Sequence, residues 1–301
     1  MMFSFRRAAL LSLLLCSFFL LSACDSAAST SNGGAHSIKV VAAENFYGDI
    51  VRQLGGSYVS VTSILSDPNV DPHAYQSNVQ TGIAVSAANL VIENGGGYDD
   101  WMDKILSSAP GSGRLLLKGF TLAPTHLPEN VHVWYYFDNV AAIAQVITED
   151  LKQLDPAHAS TFDSNLQAFQ QSLQPLQQKI TAMKAKYHGT PVGLTETIYL
   201  YQAQPEGLKV LTPFEFEKAV AEGNDPPADT VITTTEQINQ RQIKVLIYNE
   251  QTVTPVTTNL EHLAQTKNIP VVPVTETMPS HKTYQGWMMD QLNALQTALG
   301  G

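Results

Sequence analysis

The chain has 301 residues, with 27 acidic against 17 basic side chains and a formal charge of -10 at pH 7. That balance, with no basic run anywhere, excludes nucleic acid as a natural partner. Both cysteines, Cys16 and Cys24, fall near the N-terminus, so the rest of the chain has no disulfide framework, zinc finger or thiol nucleophile.

The first segment reads as an address. Arg6 and Arg7 precede an apolar run from Ala8 to Leu21 that is too short to span a bilayer comfortably. Leu21-Ser22-Ala23-Cys24 follows, and it resembles the lipobox of bacterial lipoproteins. The resemblance implies a signal peptide over residues 1–23 and lipid on the sulfur and new amino group of Cys24. Loss of Arg6 and Arg7 would take the mature charge to -12. Residues 24–36 are mostly Ser, Ala, Thr, Asn and Gly, which suits a flexible tether. No later apolar stretch is long enough to cross a membrane. The remaining length exceeds one small core and suits two lobes.

Ile38 to Ala43 reads as a buried strand, and Asn45 to Leu54 as a helix ended by Gly55-Gly56. Tyr58–Leu65 is a strand, Val79–Ala87 a helix, Leu90–Ile92 a strand, Tyr98–Leu106 a helix and Leu115–Lys118 a strand. This alternation predicts a mostly parallel sheet covered on both faces, hence an α/β lobe over residues 37–138.

The middle, residues 139–188, reads as linking helices. Asn139–Leu154 is helical with Asp138 as N-cap. A second helix starts at about Pro156 and carries Phe162, Leu166, Phe169, Leu173, Leu176, Ile180, Met183 and Tyr187 at steps of three and four. Pro175 is expected to kink this spine.

The alternation restarts in a second lobe over residues 189–301. Strands are expected at Thr190–Leu194, Lys209–Leu211, Ile243–Tyr248 and Pro270–Thr275. Helices are expected at Thr197–Gln204, Pro213–Ala221, Thr234–Arg241, Pro255–Gln265 and Thr283–Leu299, with a loop over Glu222–Asp229. Glu44-Asn45-Phe46-Tyr47 and Glu196-Thr197-Ile198-Tyr199 echo each other after the first strand of each lobe. The echo hints at a duplicated architecture.

Four residues stand where such lobes bind ligands, beyond the carboxyl ends of strands or in loops that reach that edge. His73 lies in Asn69-Val70-Asp71-Pro72-His73-Ala74-Tyr75, past the Tyr58–Leu65 strand. His132 lies in Asn130-Val131-His132-Val133-Trp134. Glu196 and Glu276 each follow an apolar run. Singly, each has a plainer reading as a turn residue, a buried histidine, a helix N-terminal acid or a solvated acid. Together, two imidazoles and two carboxylates can converge on one divalent ion between manganese and zinc in character. The Trp134–Phe137 and Trp287-Met288-Met289 side chains read as lobe core.

These motifs, with Ala42-Ala43-Glu44-Asn45-Phe46, Glu93-Asn94-Gly95-Gly96-Gly97, Thr195-Glu196 and Thr275-Glu276-Thr277, run in one order from Ile38 to Leu299. In that combination the chain resembles the solute-binding proteins of zinc/manganese-type ABC importers. The resemblance implies two α/β lobes joined by a long spine helix, with the ligand cleft between lobes. It implies His73, His132, Glu196 and Glu276 as metal ligands. Two departures stand out. Val131 replaces the usual proline before the second histidine, and Glu276 replaces the usual aspartate. His281 is close enough in sequence to substitute for Glu276, and Glu44 and Glu250 are weaker candidates. Only His126 stands where zinc-type members often carry a His-rich loop. The ligand set looks more like manganese-type members, while affinity order favours zinc.

The resemblance implies a lipid-anchored extracytoplasmic receptor that is not an enzyme. Its cargo would be Zn2+ or Mn2+, with Fe2+ the weaker alternative. Its partners would be a membrane permease and, through Cys24, the membrane itself, and the protein would be a monomer. Rival readings are a surface adhesin, a binder of an organic solute and, weakest, a metalloenzyme. No His-Glu-x-x-His helix or Gly-x-Ser-x-Gly elbow supports the last.

Overall fold

A computed structural model describes residues 37–67, 75, 78–111 and 113–301. Strand β1 (Ile38–Glu44) is the centre of the first sheet, with β2 (Val59–Leu65) on one side and β3 (Leu90–Glu93) on the other. All pairings are parallel, and Val40 lies opposite both Val61 and Leu90. β4 (Leu115–Lys118) closes the order β2-β1-β3-β4. Parallel neighbours need crossovers. These are α1 (Asn45–Gly55), α2 (Val79–Ser86) and α3 (Asp100–Ser108). A single turn, α4 (Gly119–Leu122), follows β4.

Two long helices come next, α5 (Phe137–Leu154) and α6 (Ala159–Tyr187). The second sheet then forms from β5 (Pro191–Leu194), β6 (Lys209–Val210), β7 (Leu246–Asn249) and β8 (Val271–Val274), again all parallel. Its crossovers are α7 (Leu200–Glu206), then α8 (Phe214–Ala221) with α9 (Ala228–Asn239), then α10 (Pro255–Thr266). Helix α11 (Tyr284–Ala298) ends the fold. The order β6-β5-β7-β8 repeats the arrangement of the first sheet. The sequence echo at Glu44 and Glu196 thus marks equivalent places in two like-ordered sheets. Each sheet changes direction beside its first strand, where ligands bind in open parallel sheets.

The apolar stripe of α6 is buried at Phe162, Phe169, Leu173, Leu176, Ile180, Met183 and Tyr187, with Leu166 half-buried. α6 packs on α1 and α5 from the first half and on α7 and α11 from the second. One apolar core therefore runs through both halves, and smaller cores cover the far face of each sheet. The halves are also tied by polar contacts. Asn45 exchanges two hydrogen bonds with the Met278 backbone, Asp49 accepts from Tyr284 N–H at 2.8 Å, and Gln53 pairs with Gln285. Such ties, with one shared core, favour small lobe movements over wide closure.

Among the local expectations that differ from the structure, three concern how helices start. Helix α3 starts at Asp100 rather than Tyr98, because the Asp99 carboxylate is held by the N–H groups of Asn94 and Gly95, both at 2.7 Å. Gly95, Gly96 and Gly97 all have positive φ, which lets this turn wrap the carboxylate. Asp138 is not the N-cap of α5. Tyr136 is, and Asp138 sits in the first turn, where its charge favours the helix dipole and accepts from Gln177 at 2.8 Å. Helix α6 runs through Pro175, which is exposed, so water can satisfy the carbonyl that loses its partner there. Helix α9 begins at Ala228, six residues early, directly after Pro227 fixes the chain.

One buried acid away from the strand ends makes a stability prediction. Glu206 in α7 is fully buried, and burial raises its pKa to about 8, partly offset by the Tyr199 hydroxyl that donates to Oε1 at 3.1 Å. The unfolded chain loses this proton near pH 4.5 while the folded chain keeps it. Stability is therefore lost as pH rises from that range through about 8, a cost of about 3 kcal/mol at neutral pH. Glu206→Gln should flatten the fall in melting temperature between pH 5 and pH 8, roughly the window of that titration. A pH profile identical to wild type in a thermal-melt series would refute the assignment.

Candidate metal centre

Three of the sequence-predicted ligands meet. His132, Glu196 and Glu276 each offer one ligand atom, and these atoms all lie within 4.8 Å of one another. All three residues are at most 2% exposed. His132 Nε2 is 4.0 Å from Glu196 Oε2. A bound ion with ligands at about 2.0–2.2 Å needs donor atoms about 3.3 Å apart, so binding requires only a small contraction.

The chain positions each residue by a different device. Glu196 stands two residues beyond β5, in extended conformation, as N-cap of the short 3-10 turn Thr197–Tyr199. Glu276 stands two residues beyond β8, where Gln251 Oε1 accepts the N–H groups of Glu276 and Thr277 at 2.6 and 2.9 Å. His132 is N-cap of the 3-10 turn Val133–Tyr135, just after a tight bridge between Leu127 and Asn130. Val131, the departure from proline, is secured instead by its carbonyl, which accepts from Asn94 Nδ2 at 3.0 Å and from Val133 N–H at 2.8 Å. Tyr201 of α7 pins the same loop, its hydroxyl accepting from Leu127 N–H at 2.9 Å.

The imidazole tautomer follows from its neighbours. Asn130 Nδ2 donates to the Thr197 carbonyl at 2.7 Å, so Oδ1 points to His132, where it accepts the backbone N–H at 3.0 Å and meets Nδ1 at 2.9 Å. Nδ1 must carry the proton, which leaves the lone pair on Nε2, the atom facing Glu196. The ring lies among aromatics, with Tyr98 and Trp134 at 5.9 and 5.2 Å between centroids. Trp134, Tyr135, Phe137, Trp287 and Met288 are core, and Trp134 also walls the site.

Burial, then the charge of Glu276, hold Glu196 well above the usual carboxylate range, against the lowering effect of the Ile198 N–H, the Asn249 amide and the Thr197 N–H. Its Oε2 is buried without a hydrogen-bond partner. Two carboxylates and a neutral imidazole in one dry place suit a divalent cation, which neutralises both charges.

The remaining candidates fall elsewhere. His73 and Cys24 lie outside the described residues. His281 is exposed on a turn with φ 63° and lies outside the three-residue group, as does exposed Glu250. Glu44 is fully buried at the end of β1 but faces Asp99, and burial and then the Asp99 charge raise its pKa well above the usual range. Sequence reasoning missed the residues that orient the ligands, namely Asn130, Asn249, Gln251 and Thr252. A polar residue ending a strand, as Asn249 does, was the available signal.

The family model described as zinc-uptake complex component A, periplasmic (ZnuA), matches residues 40–298. The chain belongs to this family. The metal ABC transporter substrate-binding lipoprotein ScbA of Streptococcus cristatus is 28% identical over 195 residues, which is 60% of this chain and 61% of that relative. The iron-binding protein YfeA of Yersinia pestis is 25% identical over 215 residues, 68% of each chain. The match to ScbA thus spans less than two thirds of its length. Among solved structures, the periplasmic zinc-binding protein TroA of Treponema pallidum shares the fold with a TM-score of 0.73, at 20% identity, covering 88% of this chain and 100% of that one. The two-lobe, spine-helix fold is that of the family.

Proposed function

We propose that the protein is an extracytoplasmic receptor that captures a divalent transition metal and delivers it to an ABC-transporter permease. The observation that carries this reading is the meeting of His132, Glu196 and Glu276 in a buried group. Family membership and relatives named as metal ABC transporter substrate-binding lipoproteins support it. The cargo is Zn2+ or Mn2+, with Fe2+ the weaker alternative, and His73 is the fourth ligand. Four protein ligands would close a tetrahedral shell of the kind Zn2+ takes and leave no open position for catalysis, which supports a carrier rather than an enzyme. It is anchored through lipid on Cys24 and works as a monomer, with residues 24–36 as the tether. No helix among the described residues is long and apolar enough to cross a membrane.

The test is metal analysis of protein purified from membranes, followed by stripping and thermal melts with Mn2+, Zn2+ or Fe2+ added back. One bound metal per chain and a large stabilisation by one ion are expected, since an ion at a hundred times its Kd adds about 2.7 kcal/mol. No retained metal and no shift with any ion would overturn the reading in favour of an organic ligand. Cys24→Ser should move the protein from the detergent phase to the aqueous phase, and unchanged partitioning would refute the anchor.

A further inference from the structure

Asn249 ends β7 and touches both carboxylates of the site. Its Oδ1 accepts the Gln251 N–H at 3.0 Å, which fixes the amide's orientation, because a backbone N–H can only donate. Nδ2 therefore faces the carboxylates, 3.1 Å from Glu196 Oε1 and 2.7 Å from Glu276 Oε1. It is also 2.7 Å from Thr252 Oγ1, which itself donates to Glu276 Oε1 at 3.1 Å. The Asn249 backbone N–H donates to Thr195 Oγ1, beside Glu196, at 3.0 Å. Asn249 is buried and has no freedom to turn away.

One amide thus holds one oxygen from each of two carboxylates, and in both it is Oε1. The Glu196 oxygen near His132 Nε2 is the other one, Oε2. An Oε1 engaged in this way is the weaker donor to an ion, because part of its electron density already serves the amide. Binding through both oxygens puts the ion and the amide in competition for the electron pairs of Oε1, which disfavours it. Zn2+ is satisfied by four single-atom ligands. Mn2+ prefers six oxygen-rich positions, which carboxylates reach most easily by binding through both oxygens.

We propose that Asn249 is a positioning residue that sets metal selectivity, biasing Glu196 and Glu276 towards binding through one oxygen each and so favouring Zn2+ over Mn2+. This inference rests on the metal-receptor reading. Thr252 reinforces it on the Glu276 side alone.

The experiment compares wild type, Asn249→Ala and Thr252→Val as full-chain protein purified from membranes. Affinities for Zn2+ and Mn2+ are measured by chelator competition, and coordination number by the visible spectrum of the Co2+ form. Loss of a residue that orients ligands costs about 10–100-fold in affinity. For Asn249→Ala that loss should fall mainly on Zn2+, so the Zn2+/Mn2+ affinity ratio drops by about tenfold or more. Its Co2+ spectrum should weaken, as the ion gains ligands. Thr252→Val should move both readouts the same way by less. Equal losses for both metals, or an unchanged ratio and spectrum, would overturn the proposal. If Asn249→Ala fails to fold, the Thr252→Val ratio and spectrum decide the matter on the same terms. A wild-type protein that binds neither ion would instead overturn the receptor reading beneath it.

Discussion

His132→Ala should lower the affinity for the cargo ion by about a thousandfold, close to 4 kcal/mol, while the apo protein still folds. The imidazole is the one neutral ligand in the described group, and Asn130 presents it with Nε2 towards Glu196. Alanine removes that donor and leaves a small void, but Asn130 Oδ1 still accepts the backbone N–H at position 132. The apo melting temperature should therefore fall by only a few degrees, as expected for about 1–2 kcal/mol in a chain of this size. Glu196→Gln makes the complementary case. It should also weaken binding strongly, yet leave the apo protein as stable or more stable, because it removes the cost of keeping a carboxyl protonated where burial and Glu276 both disfavour its charge. Weaker binding with a sturdier apo state marks a site kept for function at the expense of stability. Calorimetric titration and apo melts check both variants. Wild-type affinity in His132→Ala would remove the histidine from the site.

Metal capture should strengthen steeply with pH. Burial first, and the charge of Glu276 second, raise Glu196 above the usual carboxylate range, so the folded apo protein keeps a proton there that the unfolded chain has lost. The sign follows from linkage. Apo stability falls as pH rises from the ordinary carboxylate range through the raised value, because the folded state holds the extra proton. The ion must displace that proton, so affinity rises through the same window and levels off above it. Each proton displaced contributes up to about tenfold per pH unit. The stabilisation produced by the ion should accordingly grow with pH. Titrations in buffers of different ionisation enthalpy count the protons released, and about one is expected inside the window. An affinity that stays flat from acid to neutral pH would contradict a buried, proton-holding Glu196.

Much of the fold was legible because parallel strands buried on both faces read as continuous apolar runs. Ile38–Glu44 and Leu90–Glu93 are such runs, and both lie inside the first sheet. The α6 stripe was legible for a related reason, since its core contacts recur at the helical period. Helix starts were less legible where side chains compete for backbone groups. Asp99 draws the chain into a glycine turn before α3, and nothing in the spacing of Tyr98, Trp101 and Ile105 reveals that. At the site, Glu196 and Glu276 could be picked out because they follow strands, yet so does Glu44. What separates them is the neighbour each meets across the fold, Asp99 for Glu44 and the Glu276–His132 pair for Glu196. Sequence proximity misleads in the same way at His281, which is five residues from Glu276 but exposed on its own turn. Asn249 carries the least sequence signal of all, because its importance lies in one amide reaching two carboxylates 53 and 27 residues away.

The most direct measurement is anomalous diffraction from crystals grown with Zn2+ or Mn2+, collected at each metal's absorption edge. A single strong peak should lie within about 2.0–2.3 Å of His132 Nε2 and of one oxygen each from Glu196 and Glu276, with His73 completing the shell. No peak among these three residues, or one only at exposed His281 or Glu250, would contradict the assignment of this site to metal capture.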